Sequence, residues 1–173
     1  MKPLSLFLLV GGALAAAKPT VFFIRHGEKP SSHDNPTLSP RGKKRAQCIR
    51  SVFGDDSDFD IGYILAEKPK KNGFRQRPFD TVAPLASHLG LKVDTSCGKK
   101  DIDCVRDAVE DYQGKGNILI CWEHKRIKKI AKALGARHVR KYPKHAFDLI
   151  WIDPYPYDEI VDIISEDCPG LDD

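Results

Sequence analysis

What the chain lacks narrows it first. No stretch of about 20 apolar residues occurs, so no segment is long enough to cross a bilayer as a helix. There is no C-x-x-C pair, which removes the usual spacing of a structural zinc site. No internal repeat and no low-complexity linker interrupts the 173 residues. That length suits one domain and is too short for two ordinary ones. Charge of one sign is also scarce: 28 Lys and Arg against 24 Asp and Glu leave +4 with His neutral. So mild an excess fits anionic partners and is too weak for nucleic acid. No Lys/Arg run is interleaved with aromatics in a nucleic-acid motif.

What is present is the composition of a soluble globular protein, 41% hydrophobic and 30% charged. The first 17 residues differ. Met1-Lys2 is a positive start, Leu4 to Val10 is almost wholly apolar, and Ala15-Ala16-Ala17 fits an A-x-A cleavage rule. This is the pattern of a secretory signal peptide over 1–17, cleaved after Ala17. Losing Lys2 takes the formal charge from +4 to +3. A secreted location puts Cys48, Cys97, Cys104, Cys121 and Cys168 in an oxidising compartment. Cys97 and Cys104 close a short polar loop and are the expected disulfide. The odd count leaves at least one thiol free or paired between chains. The oligomeric state is open.

The mature chain reads as strands alternating with helices. Thr20 to Arg25 is a short, buried, β-rich strand. Ser39 as N-cap and Pro40 at the first helical position open a helix to about Phe53, with Ala46, Ile49 and Phe53 on one face. Further strands are expected at Ile61–Ala66, Leu91–Thr95, Asn117–Trp122 and Phe147–Ile152, with an edge strand at Glu159–Ile164. Helices are expected at Pro78–Leu89, around Val105–Tyr112, and from Ile127 to Leu134. The alternation predicts parallel strands with right-handed crossovers. Their continuous apolar runs predict a sheet covered on both faces. The expected fold is α/β, a three-layer α/β/α sandwich with a mostly parallel central sheet. The domain spans 18–165, and residues 166–173 are expected to be a flexible acidic tail.

In such a sheet, ligands bind beyond the C-terminal strand ends. The first strand ends in Arg25-His26-Gly27-Glu28. The second leads through a basic loop to Arg77, and the fourth ends in Glu123-His124. Two histidines and two arginines on one rim are suited to binding and attacking a phosphate. Arginine offers a fixed fork of donors to phosphate oxygens. Neutral imidazole is a nucleophile near neutral pH, and adjacent arginines favour that neutral form. Gly27 is expected to let backbone approach the substrate. His33, His88, His138 and His145 match no motif and read as surface or loop residues.

Phe22-Phe23-Ile24-Arg25-His26-Gly27-Glu28 resembles the R-H-G signature of the histidine phosphatase (phosphoglycerate mutase-like) superfamily. Leu38-Ser39-x-x-Gly42 with Ala46-Gln47 resembles the L-[ST]-x-x-G-x-x-Q-A segment that follows, its last two residues reversed. Arg77-x-x-x-Thr81 resembles the R-A-x-x-T helix start, and Ile118–Trp122 with Glu123-His124 the late strand that carries a second histidine. The resemblance covers about Thr20 to Asp153. It implies a phosphoglycerate mutase-like fold and hydrolysis of phosphate monoesters through a phosphohistidine. His26 would be the nucleophile, its other ring nitrogen held by a backbone carbonyl near Gly27. Arg25, Arg77 and His124 would bind the phosphoryl group. No metal or organic cofactor is implied; the partner is a small phosphorylated substrate, not nucleic acid or a membrane.

Two departures leave alternatives. The family's acid has no clear match: Asp101 and Asp103 lie in about the right loop, and Glu28 and Glu123 adjoin the two histidines. The loop Glu67 to Gln76 is long and basic, and either Arg75 or Arg77 is placed to reach the phosphate. A non-catalytic phosphate-binding or effector module on the same fold is the competing function. A mutase ranks lower, because the chain has no long insertion to close over a substrate.

Overall fold

The structure, a computed structural model, describes residues 18–32 and 35–172. The expected leader at 1–17 lies outside the described residues, as do His33 and Asp173. In chain order the elements are β1 (Val21–Arg25), α1 (Pro40–Val52), β2 (Ile61–Ala66), α2 (Arg77–His88), β3 (Val93–Asp94), α3 (Ile102–Glu110), β4 (Asn117–Trp122), α4 (His124–Leu134), β5 (Leu149–Asp153) and β6 (Asp162–Ser165). The strands form one sheet in the order β3-β2-β4-β1-β5-β6.

Strand periodicity builds the three layers. On β1, Val21 and Phe23 face one side with Ile118, Ile120 and Trp122 of β4, where α3 and α4 supply Val105, Val109, Ile127 and Ile130. Phe22 and Ile24 face the other side with Leu119 and Cys121, where α1 and α2 supply Ile49, Val82 and Leu85. Both faces of the central strands are apolar because both are covered. Helix α1 starts as its sequence dictates: Ser39 Oγ accepts from the Gly42 amide at 3.0 Å, with Pro40 in the first turn.

β1, β2, β3 and β4 run parallel. β5 is antiparallel to β1, and β6 antiparallel to β5. This differs from the expected parallel crossover for a physical reason. Helix α4 carries the chain down to the N-terminal edge, and the helix-free stretch Ala136–Asp148 climbs back to the rim before β5 begins. The strand therefore enters from the top. The expected strand Leu91–Thr95 is cut to two residues at the sheet edge.

The C-terminal segment is the main correction. Residues 166–172 are not a flexible tail. Cys168 is disulfide-bonded to Cys48 of α1, alongside the expected Cys97–Cys104 bridge, and Cys121 is free and buried. Arg45 of α1 is only 1% exposed and pairs with Glu28 (2.8 Å), Glu166 (2.7 Å) and Asp172 (2.7 Å). Burial works against the Arg45 charge, but the bonds from Glu28 and Asp172 and the charge of Glu166 hold its pKa above normal. Glu166 and Asp172 are 121 and 127 residues away in sequence, so no local pattern announces them.

Gly27 also differs from expectation. A Cβ there would lie 3.0 Å from the Gly42 carbonyl oxygen, so the close approach it permits is to α1. Gly42 is tighter still: a Cβ would sit 2.4 Å from the Glu28 carbonyl oxygen and 2.8 Å from its amide nitrogen. Gly42→Ala is expected to lower stability by about 1–3 kcal/mol through overpacking. The measurement is a urea titration, in which the midpoint falls while the slope holds.

Candidate active site

The parallel strands β1, β2 and β4 end on one rim, and a cavity of about 650 Å³ opens there. Arg25, His26, Arg77 and His124, the four rim residues singled out in the sequence, all line it. β1 and β4 are in register from Val21↔Ile118 to Arg25↔Trp122, and the His26 amide donates to the Trp122 carbonyl at 3.3 Å. The two histidines are thus held at neighbouring strand ends.

His26 is 7% exposed, and its Nδ1 lies 2.8 Å from the Gly27 carbonyl oxygen. That carbonyl can only accept, so the proton sits on Nδ1 and Nε2 carries the lone pair. Burial, together with the charges of Arg25 and Arg77 and the neighbouring His124, lowers the imidazole pKa to about 4, against the opposing pull of the Gly27 carbonyl. The Gly27 amide donates to Thr81 Oγ1 at 2.9 Å, and Thr81 Oγ1 donates to the Arg77 carbonyl at 2.7 Å. One buried threonine therefore ties the end of β1 to the start of α2.

The returning stretch before β5 holds Arg25. Its Nη1 donates to the carbonyls of Lys144 (2.8 Å) and Ala146 (2.7 Å), and its guanidinium carbon lies 3.7 Å from the centroid of the Phe147 ring. Its Nε is buried without a partner. Burial lowers its pKa to about 10, which leaves it charged at neutral pH. His124 opens α4, and its Nδ1 is likewise buried without a partner. Burial first, and Arg25 next, lower its pKa to about 4. Arg77 donates from Nε to the Thr37 carbonyl (3.1 Å) and from Nη2 to the Asn35 carbonyl (2.8 Å). Arg75 also lines the cavity, with its Nε 3.8 Å from Glu67 Oε1.

The acid candidates are placed differently. Glu28 turns away from the cavity to Arg45 and Arg41, and it lines a separate hollow. Asp101 is exposed and caps α3, accepting from the Cys104 amide at 3.3 Å. Asp103 pairs with Arg106. Neither aspartate is on the cavity wall. Glu123 is on it but is bound to Lys99 at 2.7 Å, and that pairing holds its carboxyl below the usual range despite burial.

The carboxylate the sequence reading missed is Glu67. It follows the last residue of β2, is 2% exposed and lines the cavity. Burial, reinforced by the Glu123 charge, raises its pKa to about 7, although Lys99 and Arg75 oppose the shift. Its signal was a charged residue directly after a buried strand end, in a loop read only for its basic residues. Phe147 and His145 also line the cavity, and no motif marked them. Among the described residues one group has metal-like spacing, Glu166, Cys168 and Asp172. Cys168 is committed to a disulfide and both carboxylates to Arg45, so the group does not fit an ion.

No protein-family model matches the chain, and no curated protein matches its sequence. Solved structures do share its fold. The protein histidine phosphatase SixA complexed with tungstate superposes with a TM-score of 0.61 at 13% identity, over 85% of this chain and 97% of that one. A putative phosphohistidine phosphatase SixA from Agrobacterium tumefaciens gives 0.60 at 10% identity, over 86% and 98%. The mycobacterial glucosyl-3-phosphoglycerate phosphatase Rv2419c with inorganic phosphate gives 0.54 at 14% identity, over 78% and 88%. The chain therefore shares the α/β fold of these structures.

The electrostatics predict an unusual titration. The ring signals of His26 and His124, followed by nitrogen–proton NMR correlation, are expected to titrate near pH 4. Ordinary values of about 6.5 would contradict the cationic, desolvated site.

Proposed function

We propose that the protein is a secreted phosphatase that hydrolyses phosphate monoesters through a phosphohistidine on His26. The observation that carries this reading is the His26 imidazole. Its Nδ1 proton is held by the Gly27 carbonyl, and it sits in a cavity shared with Arg25, Arg77 and His124. The Nε2 lone pair attacks phosphorus while the bond from phosphorus to the ester oxygen breaks. Arg25, Arg77 and the N–H of His124 meet the charge that gathers on the phosphoryl oxygens. Arg75 stands on the same wall and serves the same anion.

An alkoxide leaves poorly without a proton. Glu67 is the group we assign to supply it. It is buried, faces the cavity and is half-protonated near pH 7. Water then attacks the phosphohistidine and gives its proton back to the Glu67 carboxylate. Phosphate departs and the imidazole is restored. Asp101 and Glu28, bound elsewhere, take no part in this scheme. The two disulfides and the leader-like residues 1–17 support secretion.

His26→Ala is expected to cut turnover of an aryl phosphate by roughly 10³-fold or more. Alkaline quench of the native chain with labelled substrate is expected to trap phosphohistidine. A folded sample that turns over no member of a broad phosphate panel would overturn the assignment. Glu67→Gln is expected to cost roughly 10²-fold or more on alkyl phosphates and little on p-nitrophenyl phosphate, whose phenolate leaves unaided. With alkyl substrates the rate is expected to fall below about pH 4 as His26 gains a proton, and above about pH 7 as Glu67 loses one.

A further inference from the structure

The molecule carries a second basic hollow beside the first. Helix α4, His124–Leu134, has no acidic residue. Its Ile127, Ile130 and Ala131 face the core. Lys125, Lys128, Lys129 and Lys132 recur at three- and four-residue steps and so share one face. The return stretch adds Lys141, Tyr142 and Lys144, and together they line a groove of about 630 Å³. None of the six lysines has a carboxylate within ion-pair distance among the described residues, and no acid lines the groove.

The groove adjoins the His26 cavity, and His124, Lys125 and Lys144 line both. The pairing of charges elsewhere sharpens the contrast. The whole chain carries only +4, yet the two adjoining hollows gather 12 of its lysines and arginines against Glu67 and Glu123. A solvated lysine face needs no such segregation. Like charges at these helical steps repel, and an anion that spans several of them relieves that repulsion.

We infer that this groove binds the further phosphates of a multiply phosphorylated substrate, whose terminal phosphoryl group lies at His26. The inference deepens the proposed phosphatase function and rests on it. The ligand is recognised as a chain or cluster of phosphates, because flexible ammonium groups answer to charge density and not to one fixed shape. Chemistry at the terminal group is unchanged: Nε2 of His26 bonds to phosphorus, the bridging oxygen leaves with the rest of the substrate, and water completes hydrolysis.

The test compares the full mature chain with Lys128→Gln/Lys129→Gln/Lys132→Gln, three positions outside the His26 cavity. p-Nitrophenyl phosphate supplies one phosphate. Inorganic tripolyphosphate and inositol hexakisphosphate supply several, the first as a linear anhydride and the second as a phosphate ester. The expected result is an unchanged kcat/KM on p-nitrophenyl phosphate, within twofold. On one or both polyphosphorylated compounds, a loss of tenfold or more is expected, mostly in KM and shrinking as salt rises. The compound that shows the loss identifies the source. Lys129→Gln alone, expected to lose twofold to threefold, guards against misfolding of the triple variant. Calorimetric binding of the same compounds to His26→Ala, with and without the lysine changes, reads the groove even if no substrate is turned over. A failure of the phosphatase reading is thereby told apart from a failure of this one. Equal losses on all substrates, no loss on either polyphosphorylated compound, or equally tight binding of an oligoglutamate peptide would each overturn the inference.

Discussion

The parallel pairing of β1 with β4 is the constraint on which the site depends. Its register runs unbroken from Val21↔Ile118 to Arg25↔Trp122, so both strands release the chain at the same height. His26 is the next residue on one, and His124 follows on the other after a single glutamate. A slip of one residue would turn Arg25 toward the opposite helix layer and exchange the two apolar faces of the strand. The alternation of Val21 and Phe23 with Phe22 and Ile24 forbids that slip, because each set fits a different core. Packing deep in the sheet therefore fixes chemistry at its edge.

Charge is divided between two neighbouring regions of opposite logic. Around Arg45, one buried cation is surrounded by three carboxylates, and each of them is paired with it. Around His26, cations gather with few counter-charges, and two buried nitrogens, Arg25 Nε and His124 Nδ1, have no partner. The first arrangement joins α1 to the C-terminal segment. The second concentrates positive charge on one rim, an arrangement suited to an anion. Glu28 stands at the border and belongs to the first, which is why adjacency in sequence to His26 was a poor guide to its role.

Much of this was legible in the residues. Periodicity gave the layers, because continuously apolar strands are stable only when both faces are covered. Ser39 and Pro40 marked α1, whose start depends on local backbone groups. The rim residues Arg25, His26, Arg77 and His124 could be placed together because parallel strands share a C-terminal edge. What stayed hidden was non-local. The antiparallel entry of β5 depends on a stretch with no periodic signal. The Cys48–Cys168 bond and the grip of Arg45 on residues 166–172 join positions about 120 residues apart. Glu67 acquires its character from burial between Glu123 and Lys99, which no local pattern around it records.

The Arg45 cluster also orders events during synthesis. Arg45 leaves the ribosome roughly 120 residues before Glu166 and Asp172, and until they arrive its guanidinium has no buried partners beyond Glu28. An uncompensated charge in that position resists enclosure. Enclosing the α1 side before the C-terminal segment emerges would carry that cost, and the cysteines at 48 and 168 can meet only afterwards. Full sealing of the chain's earliest helix thus draws on its last-made segment.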